Sequence, residues 1–228
     1  MDGMRRWMVS LLRVEGPAGG VEAQSARRKR ARLLALIGLF LLAACASPSP
    51  APASPVAQPT VTPVPDPAAL ATSAVEALRD RDMARLAALA HPTRGVRFSP
   101  YAFVSQADVV LMPAQLETAL SDPTVYLWGA YDGTGDPISL TFAAYYEQFV
   151  YSHDFAAAPQ VGYNQIIGRG NTINNCFDFY PGAFVAEYHF PGFNPAYGGM
   201  DWVSLRLVFQ QEDGVWYLVG IIHDQWTI

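Results

Sequence analysis

The sequence predicts an α+β fold in which N-terminal helices pack on a curved, mostly antiparallel sheet. Two observations carry this prediction: an alanine-rich stretch with helical spacing follows Asp66, and short strand-like segments fill most of the chain after it. Helices followed by runs of strands are typical of α+β domains, here with the sheet covered on one face. With 228 residues, the chain is long enough to bury a sizeable core.

The helical segment has a recognisable beginning and end. Asp66 is a favourable N-cap, and Pro67 suits the first helical position. Apolar side chains then recur at helical spacing up to Ala90, with a charged break at 79–82. We expect two helices, or one kinked helix, ending before His91-Pro92 because the residue before proline disfavours the helical conformation.

The sequence changes to strand-like patterns after Pro92. Strands are predicted at 96–101, 108–111, 125–131, 138–140, 182–190, 202–210 and 215–223, and short helices at 113–120 and 141–150. The last strand is apolar on both faces, which predicts a central place in a covered sheet, and 211–214 is a good hairpin loop. Residues 161–175, rich in Asn and Gly, match no regular element.

The N-terminus carries an export pattern. A dense cationic run at 27–32 precedes twelve uncharged residues from Leu33 to Ala44. A helix that short does not span a hydrocarbon layer of ~30 Å at ~1.5 Å per residue. A cationic segment before a short apolar segment is typical of a secretory signal.

The end of the apolar run, Leu42-Ala43-Ala44-Cys45, resembles a bacterial lipobox. The resemblance implies that Cys45 receives a diacylglyceryl group through its sulfur and becomes the new N-terminus after cleavage. The alternative is a buried cysteine in an ordinary apolar helix, but nothing in the following segment offers to bury such a helix. We therefore expect a lipoprotein signal peptide at 1–45 and a protein held at the cell membrane, outside the cytoplasm, by its N-terminal lipid.

A proline-rich segment, taken as 46–67, separates the signal from the folded domain at 68–228. Eight prolines lie between Ser47 and Pro67, and proline both restricts φ and removes a backbone donor. Such a segment tends toward polyproline II and is disordered in the sense of lacking helix or sheet. A spacer that lifts the domain off the membrane and a tail without a partner predict the same structure, so both interpretations stay open.

Charge separates the two ends of the chain. Residues before Cys45 include eight basic and three acidic side chains, whereas Ser47 to Ile228 carries seven arginines, no lysine and 17 acids, a net charge of 7 − 17 = −10. A body this acidic argues against nucleic acid as a partner. The expected partners are the membrane, through the lipid, and an envelope ligand or protein.

The element order and the closing hairpin SLRLVFQQEDGVWYLVGIIHDQWTI resemble the NTF2-like fold, in which helices lie across a curved sheet to form a cone. The segments HPTRGVRFSPYAFV, YLWGAYDGTGDPISLTFAAYYEQFVY and GMDWVSLRLVF also resemble a group of uncharacterised secreted bacterial proteins. The resemblance covers roughly residues 75–228 and implies no activity. Fold-level likeness is a weak guide to function, since this cone hosts both enzymes and binding modules.

Aromatic residues are the strongest functional signal. Residues 98–228 hold 11 Phe, 11 Tyr and 4 Trp, an enrichment that suits a stacking platform for sugars or a pocket for an apolar ligand. A tightly packed core accounts for most of them. The ligand-binding candidates lie beside Gly, Pro, Asp or a chain end, where packing has a weaker claim: Trp128, Tyr131, Tyr197, Trp202 and Trp226.

Among the four histidines, His223 is the acid–base candidate, together with Asp224 at the end of the last strand. Adjacent strand residues point to opposite faces, so this carboxylate does not orient that ring if the strand continues through both. A hydrogen-bonded histidine that anchors the chain end is the structural alternative. Cys176 lacks a neighbouring base and is expected to be a small buried side chain.

No metal site or cofactor is predicted. No histidine pair has helical metal-site spacing, and two cysteines 131 positions apart exclude a disulfide framework and zinc sites of the CxxC type. Asp132, Thr134 and Asp136 mimic the start of a calcium-binding loop, but Pro137 stands where glycine is needed, so a tight turn explains them.

Two functions from different classes remain. The first is a non-catalytic binding module that uses an aromatic-lined concavity. The second is a hydrolase or isomerase of small or glycan-like substrates that uses a histidine in the pocket. The position of His223 relative to a cavity discriminates them: a cavity lined by His223 with a carboxylate within hydrogen-bond reach favours the enzyme. A collapsed concavity filled by Tyr and Trp side chains favours a scaffold.

Overall fold

The computed structural model describes residues 65–227, so Cys45, the signal and most of the proline-rich segment lie outside the described residues. The first helix begins where the sequence predicts. The Asp66 side chain accepts a hydrogen bond from the Ala68 backbone N–H at 3.1 Å, and Pro67 occupies the first helical turn. Helix α1 therefore has a well-formed N-terminus.

Five short or medium helices are interspersed with eight strands in the described residues. The helices are α1 (Pro67–Arg79), α2 (Met83–Leu89), α3 (Pro113–Thr118), α4 (Phe142–Tyr145) and α5 (Cys176–Phe179). The strands are β1 (Val96–Ser99), β2 (Val110–Leu111), β3 (Val125–Ala130), β4 (Pro137–Thr141), β5 (Gln160–Tyr163), β6 (Phe184–Phe190), β7 (Val203–Glu212) and β8 (Val215–Gln225). Within residues 65–227 no helix combines the length and apolarity that crossing a bilayer requires.

Six strands form the main sheet in the order β2-β1-β8-β7-β6-β5. Every neighbouring pair is antiparallel except β1 and β8, which run parallel. The predicted central position of the last strand is confirmed, because β8 lies between β1 and β7. Strands β3 and β4 pair only with each other in a separate two-stranded sheet.

Strands β7 and β8 are joined by a two-residue turn. Asp213 and Gly214 both have positive φ angles, 49° and 81°. Two central residues with positive φ match the right-handed twist of a hairpin, and Asp-Gly is a favoured pair for them. This long hairpin forms the centre of the fold.

One face of the main sheet, here called the helical face, packs against α1 and the aromatic residues of β3 and α4. Its strand residues are apolar at most positions: Ala186, Tyr188, Val203, Leu205, Leu207, Phe209, Leu218 and Ile221. The π-helical turn Tyr146–Val150, which continues α4, lies over β8. The main hydrophobic core therefore lies between this face and the helices.

The opposite face, here called the loop face, is also covered over β6, β7 and β8, where the sequence led us to expect a sheet covered on one face only. Cys176 and Tyr180 pack there against Val185, Val208 and Ile222. The covering chain is 164–180, which includes most of the segment 161–175 that matched no regular element in the sequence and ends in the short α5. The start of that segment is the strand β5, which the sequence did not predict. The sequence did not predict that this segment covers the sheet, because an irregular segment has no hydrophobic periodicity that would reveal its buried side.

Candidate functional site

An aromatic cleft of about 330 Å³ opens beside the β3–β4 sheet. It is lined by Pro100, Tyr101, Phe103, Asp108, Trp128, Gly129, Ala130, Tyr131, Asp132 and Thr172. A volume near the lower end of the ~300–1,000 Å³ range of small-molecule pockets suits one compact ligand. Four aromatic side chains and two carboxylates share this space.

Three separate parts of the chain build the aromatic cleft. The loop after β1 brings Tyr101 and Phe103, the end of β3 brings Trp128 and Tyr131, and the covering segment brings Thr172. The β3–β4 register shifts between Leu127 and Ala130, which bends the end of β3. This irregularity lies within the lining of the cleft.

Trp128 forms the floor of the cleft and is locked from behind. Its indole stacks on Tyr145 with centroids 3.8 Å apart and an interplanar angle of 14°, and Tyr145 stacks in turn on Phe149 at 5.1 Å. The indole N–H donates to the Leu140 carbonyl at 2.9 Å. These three rings form an aromatic column that ends in a T-shaped contact between Phe149 and His223, with ring centroids 5.7 Å apart.

The column fills the concavity between the helices and the sheet. Trp128, Tyr145, Phe149 and His223 are each at most 4% exposed. Burial raises the pKa of the Tyr145 hydroxyl well above its ordinary value. The interior therefore holds packed rings, and the rings of the cleft that are open to a ligand are those of Tyr101, Phe103 and Tyr131.

The mouth of the cleft is more open than its floor. Phe103 is 53% exposed, while Tyr101 and Tyr131 are partly buried against Phe149 at 5.8 and 6.2 Å. The Tyr131 hydroxyl donates to Gln148 at 3.1 Å, which fixes the ring. Held aromatic faces of this kind lose little conformational entropy when they contact a ligand.

Two carboxylates give the aromatic cleft its polarity. Asp108 accepts hydrogen bonds from the Ser99 hydroxyl at 2.5 Å and the Ser105 N–H at 2.9 Å, and burial raises its pKa above the ordinary value. Asp132 accepts from the Thr227 hydroxyl at 2.5 Å. This hydrogen bond connects Thr227, which follows β8, to the β3–β4 turn beside the cleft.

The five aromatic candidates from the sequence do not meet at one place. Trp128 and Tyr131 line the aromatic cleft. Tyr197 is 54% exposed on the loop before β7, and Trp226 is 38% exposed at the chain end. The expectation that packing has a weak claim on all five is wrong for Trp128 and for Trp202, which are 1% and 6% exposed.

Trp202 is buried because two glycines of the covering segment lie on its indole. A Cβ added at Gly168 would lie 2.6 Å from the indole ring, and one at Gly170 would lie 3.1 Å from it. These glycines therefore allow a close approach of backbone to ring, which explains why glycine stands at both positions.

The structure separates His223 from Asp224. His223 pairs with Leu205 on the helical face and is 0% exposed, whereas Asp224 lies on the loop face and accepts a hydrogen bond from Arg206 at 2.9 Å. The Nε2 atom of His223 makes a hydrogen bond with the Gln225 side chain at 3.3 Å. Burial lowers the pKa of this histidine to about 4. His223 thus reaches neither the cleft nor a carboxylate among the described residues.

A buried charge network lies on the loop face. Arg206, 0% exposed, bonds Glu187 at 3.1 Å, Asp224 at 2.9 Å and the Gly168 carbonyl at 3.0 Å. Glu187 also accepts the backbone N–H groups of Ile167 and Gly168 at 2.7 and 2.9 Å. The network connects strands β6, β7 and β8 to the covering segment.

The remaining chemical groups form no recognisable reactive site in residues 65–227. Cys176 is 0% exposed, and burial raises the pKa of its thiol to about 11, which disfavours the thiolate. No group of three or more metal-ligating side chains is found among the described residues. Asp132 and Asp136 belong to the turn between β3 and β4.

Sequence reasoning missed Tyr101, Phe103 and Asp108. They follow β1 in a loop whose only signal is a cluster of aromatic residues beside Pro100. The aromatic cluster marks the loop itself, but it does not indicate which strand end the loop approaches in the fold.

No protein-family model matches the chain. No curated protein matches it either. Among solved structures, a designed NTF2-like protein aligns with 10% sequence identity over 69% of this chain and 95% of that chain, with a TM-score of 0.28. A score this low carries no argument, so the α+β description rests on the strand order and burial of this chain.

Proposed function

We propose that this chain is a lipid-anchored extracytoplasmic protein whose α+β domain, of the NTF2-like type, binds a ligand of the cell envelope in the aromatic cleft. The observation that carries the proposal is the cleft itself: the rings of Tyr101, Phe103 and Tyr131, each at least partly exposed, line one space whose floor is the buried Trp128. Rings used only for packing would be covered, as those of the aromatic column are.

Support for the NTF2-like type comes from the topology. Two N-terminal helices precede the strands, α1 contacts β6 and β7, and the chain ends in the long β7–β8 hairpin at the sheet centre. This is the order in which the resemblance places helices across a curved sheet. The cone's interior is here occupied by the aromatic column, so the proposed binding surface lies outside it.

The ligand class that fits best is a glycan. Aromatic faces offer stacking surface to the apolar side of a sugar ring, and carboxylates such as Asp108 and Asp132 accept hydrogen bonds from sugar hydroxyls. A purely apolar ligand would displace water from these carboxylates without replacing the lost hydrogen bonds, which costs free energy. The pairing of rings with carboxylates in one cleft therefore favours a polyhydroxylated ligand.

The enzyme alternative with His223 as base receives no support from the geometry. Its ring is fully buried beneath Phe149, and Asp224 faces the other side of the sheet. A general base must come within hydrogen-bond reach of the proton it removes. The binding module is consequently the function we put forward.

Titration with peptidoglycan fragments and other envelope oligosaccharides, followed by tryptophan fluorescence and calorimetry, tests this proposal. Tyr131→Ala should weaken binding roughly fivefold, since one aromatic contact contributes about 1 kcal/mol. Tyr197→Ala is the matched control, because Tyr197 is an exposed ring outside the cleft. Equal effects of the two substitutions, or no binding of any oligosaccharide by the wild-type protein, would contradict the proposed site.

The anchor is tested separately by mass spectrometry of the native protein. Cys45 should carry the lipid, and Cys45→Ser should release the chain from membranes while Cys176→Ser should not. An unmodified Cys45 in a protein free in the cell interior would overturn the localisation without bearing on the cleft.

A further inference from the structure

A second cleft, here called the arginine cleft, lies on the loop face of the main sheet. Its volume is about 190 Å³, and it lies among β1, β2, the β7–β8 hairpin and the end of α5. Its polar lining comes from Arg94, Arg97, Tyr180 and Gln210, and none of its lining residues is acidic. That composition is unexpected in a chain whose residues 47–228 carry a net charge of −10.

The arginine cleft is distinctive because its two arginines form no ion pair with a carboxylate of the described residues. Seven arginines lie in residues 65–227, and four of them make ion pairs with carboxylates: Arg79, Arg81, Arg85 and Arg206. Among the described residues, Arg94, Arg97 and Arg169 have no carboxylate within ion-pair distance. Two of these three line the same small cleft.

Arg97 is held in place by its surroundings. Its Nη1 donates to the carbonyls of Ser105, Gln106 and Asp108 at 2.9, 3.1 and 2.9 Å, and its guanidinium lies 5.3 Å from the Phe179 ring centroid. These contacts use Nη1 and one planar face. Nε and Nη2 make no hydrogen bond to the described residues, so a fixed donor edge remains available for an acceptor.

Arg94 and Tyr180 add further donors. Arg94 is exposed, and its Nη1 donates to Gln210 at 2.8 Å. The Tyr180 side chain is 6% exposed, and burial raises the pKa of its hydroxyl, a rise that the nearby Arg97 guanidinium opposes. The hydroxyl nevertheless makes no hydrogen bond of ordinary geometry to the described residues. A buried hydroxyl without a partner costs free energy, and such groups are rare in folded proteins.

We propose that the arginine cleft is an oxyanion-binding site that takes a carboxylate or phosphate group of a small ligand. Arg94, Arg97 and Tyr180 line one cleft without an acidic lining residue, and arginine is suited to the planar recognition of both groups. The bound oxyanion would accept the hydroxyl hydrogen bond that Tyr180 lacks. This site is independent of the aromatic cleft, whose lining it does not share.

The test is calorimetric titration of the full mature chain with inorganic phosphate and, separately, with acetate, against chloride at equal ionic strength. Binding of phosphate alone assigns the site to phosphate groups, and binding of acetate assigns it to carboxylates. Arg94→Gln and Tyr180→Phe should each weaken binding about tenfold, because a hydrogen bond to a charged group is lost in each.

Tyr180→Phe separates binding from folding. It removes only an unpartnered hydroxyl, so the thermal midpoint without ligand should stay equal or rise. Arg169→Gln is the matched control for charge, since Arg169 also lacks a carboxylate partner but lies outside the cleft. The proposal is overturned if neither anion binds more than chloride does, if Tyr180→Phe and Arg94→Gln bind as the wild type, or if Arg169→Gln weakens binding equally.

Discussion

The two faces of the main sheet are buried by different means. The helical face meets helices and aromatic rings, and its strand residues are almost all apolar. The loop face meets an irregular segment, and beneath that segment the strands carry Glu187, Arg206 and Asp224. Both faces exclude water, but of the two only the loop face does so with buried ion pairs among the described residues.

The two faces differ because helices and an irregular segment leave different numbers of backbone groups without hydrogen-bond partners. A helix pairs its own backbone groups, so the residues beneath it need only supply apolar contact. An irregular segment brings unpaired backbone N–H and C=O groups into the interior. On the loop face Glu187 accepts the N–H groups of Ile167 and Gly168, and Arg206 donates to the Gly168 carbonyl. The buried charges therefore complete the backbone pairing of the loop.

Removing the central arginine should break the loop face most severely. Arg206→Met leaves Glu187 and Asp224 buried without their partner, and breaking a buried ion pair in this way costs about 4 kcal/mol. Urea denaturation should show the loss in the free energy of unfolding. Arg79→Gln is the control, since its pair with Asp80 is exposed to solvent and should leave the unfolding free energy nearly unchanged.

A loss for Arg206→Met no greater than that for Arg79→Gln would mean that the buried network does not stabilise the fold. Hydrogen exchange adds a local measurement, because the amides of Ile167 and Gly168 should lose protection first in the Arg206 variant.

His223 and Asp224 should give the two faces opposite pH dependences. Burial lowers the pKa of His223 from 6.5 to about 4, so its contribution is present above pH 6.5 and is lost as pH falls toward 4. At about 1.4 kcal/mol per pKa unit, this is worth roughly 3 kcal/mol. Burial raises the pKa of Asp224 to about 6, so its contribution is present below pH 3.8 and is lost as pH rises through 6.

In the wild type these two contributions partly cancel between pH 4 and 6, and single substitutions should expose each. His223→Leu should lose less stability than the wild type on acidification from pH 7 to 4. Asp224→Asn should lose more, because the compensating protonation on the loop face is gone. Denaturant titrations at half-unit pH steps measure both slopes, and parallel slopes for all three proteins would contradict this assignment.

A smaller effect is expected from filling the space between the covering segment and Trp202. Gly168→Ala places a Cβ 2.5 Å from the Ser204 hydroxyl and 2.6 Å from the indole, and overpacking of this kind costs about 2 kcal/mol. Gly170→Ala is the graded control, because its Cβ would lie 3.1 Å from the indole and should cost less. Thermal denaturation ranks the two variants, and the reverse order would show that the segment does not rest on Trp202 as described.

Local sequence signals predicted the elements that depend on neighbouring residues. The Asp66–Pro67 cap, the break between α1 and α2, and the Asp213-Gly214 turn each involve a few consecutive residues whose conformational preferences act in place. The central position of β8 was also predictable from its apolar pattern on both sides. That same pattern suits a sheet covered on both faces, whereas we expected cover on one face only. The export signal of the cationic-apolar N-terminus stays a prediction, because it lies outside the described residues.

The two clefts and the buried network depend on residues distant in the sequence, and here the sequence offered little. Tyr101, Trp128 and Thr172 meet only after a bent strand end and a non-periodic segment come together. Arg206 finds its two carboxylates through strand register, 19 positions before it at Glu187 and 18 after it at Asp224. Amino-acid preference and periodicity act over a few residues, whereas these sites arise from long-range packing, which only the folded chain decides.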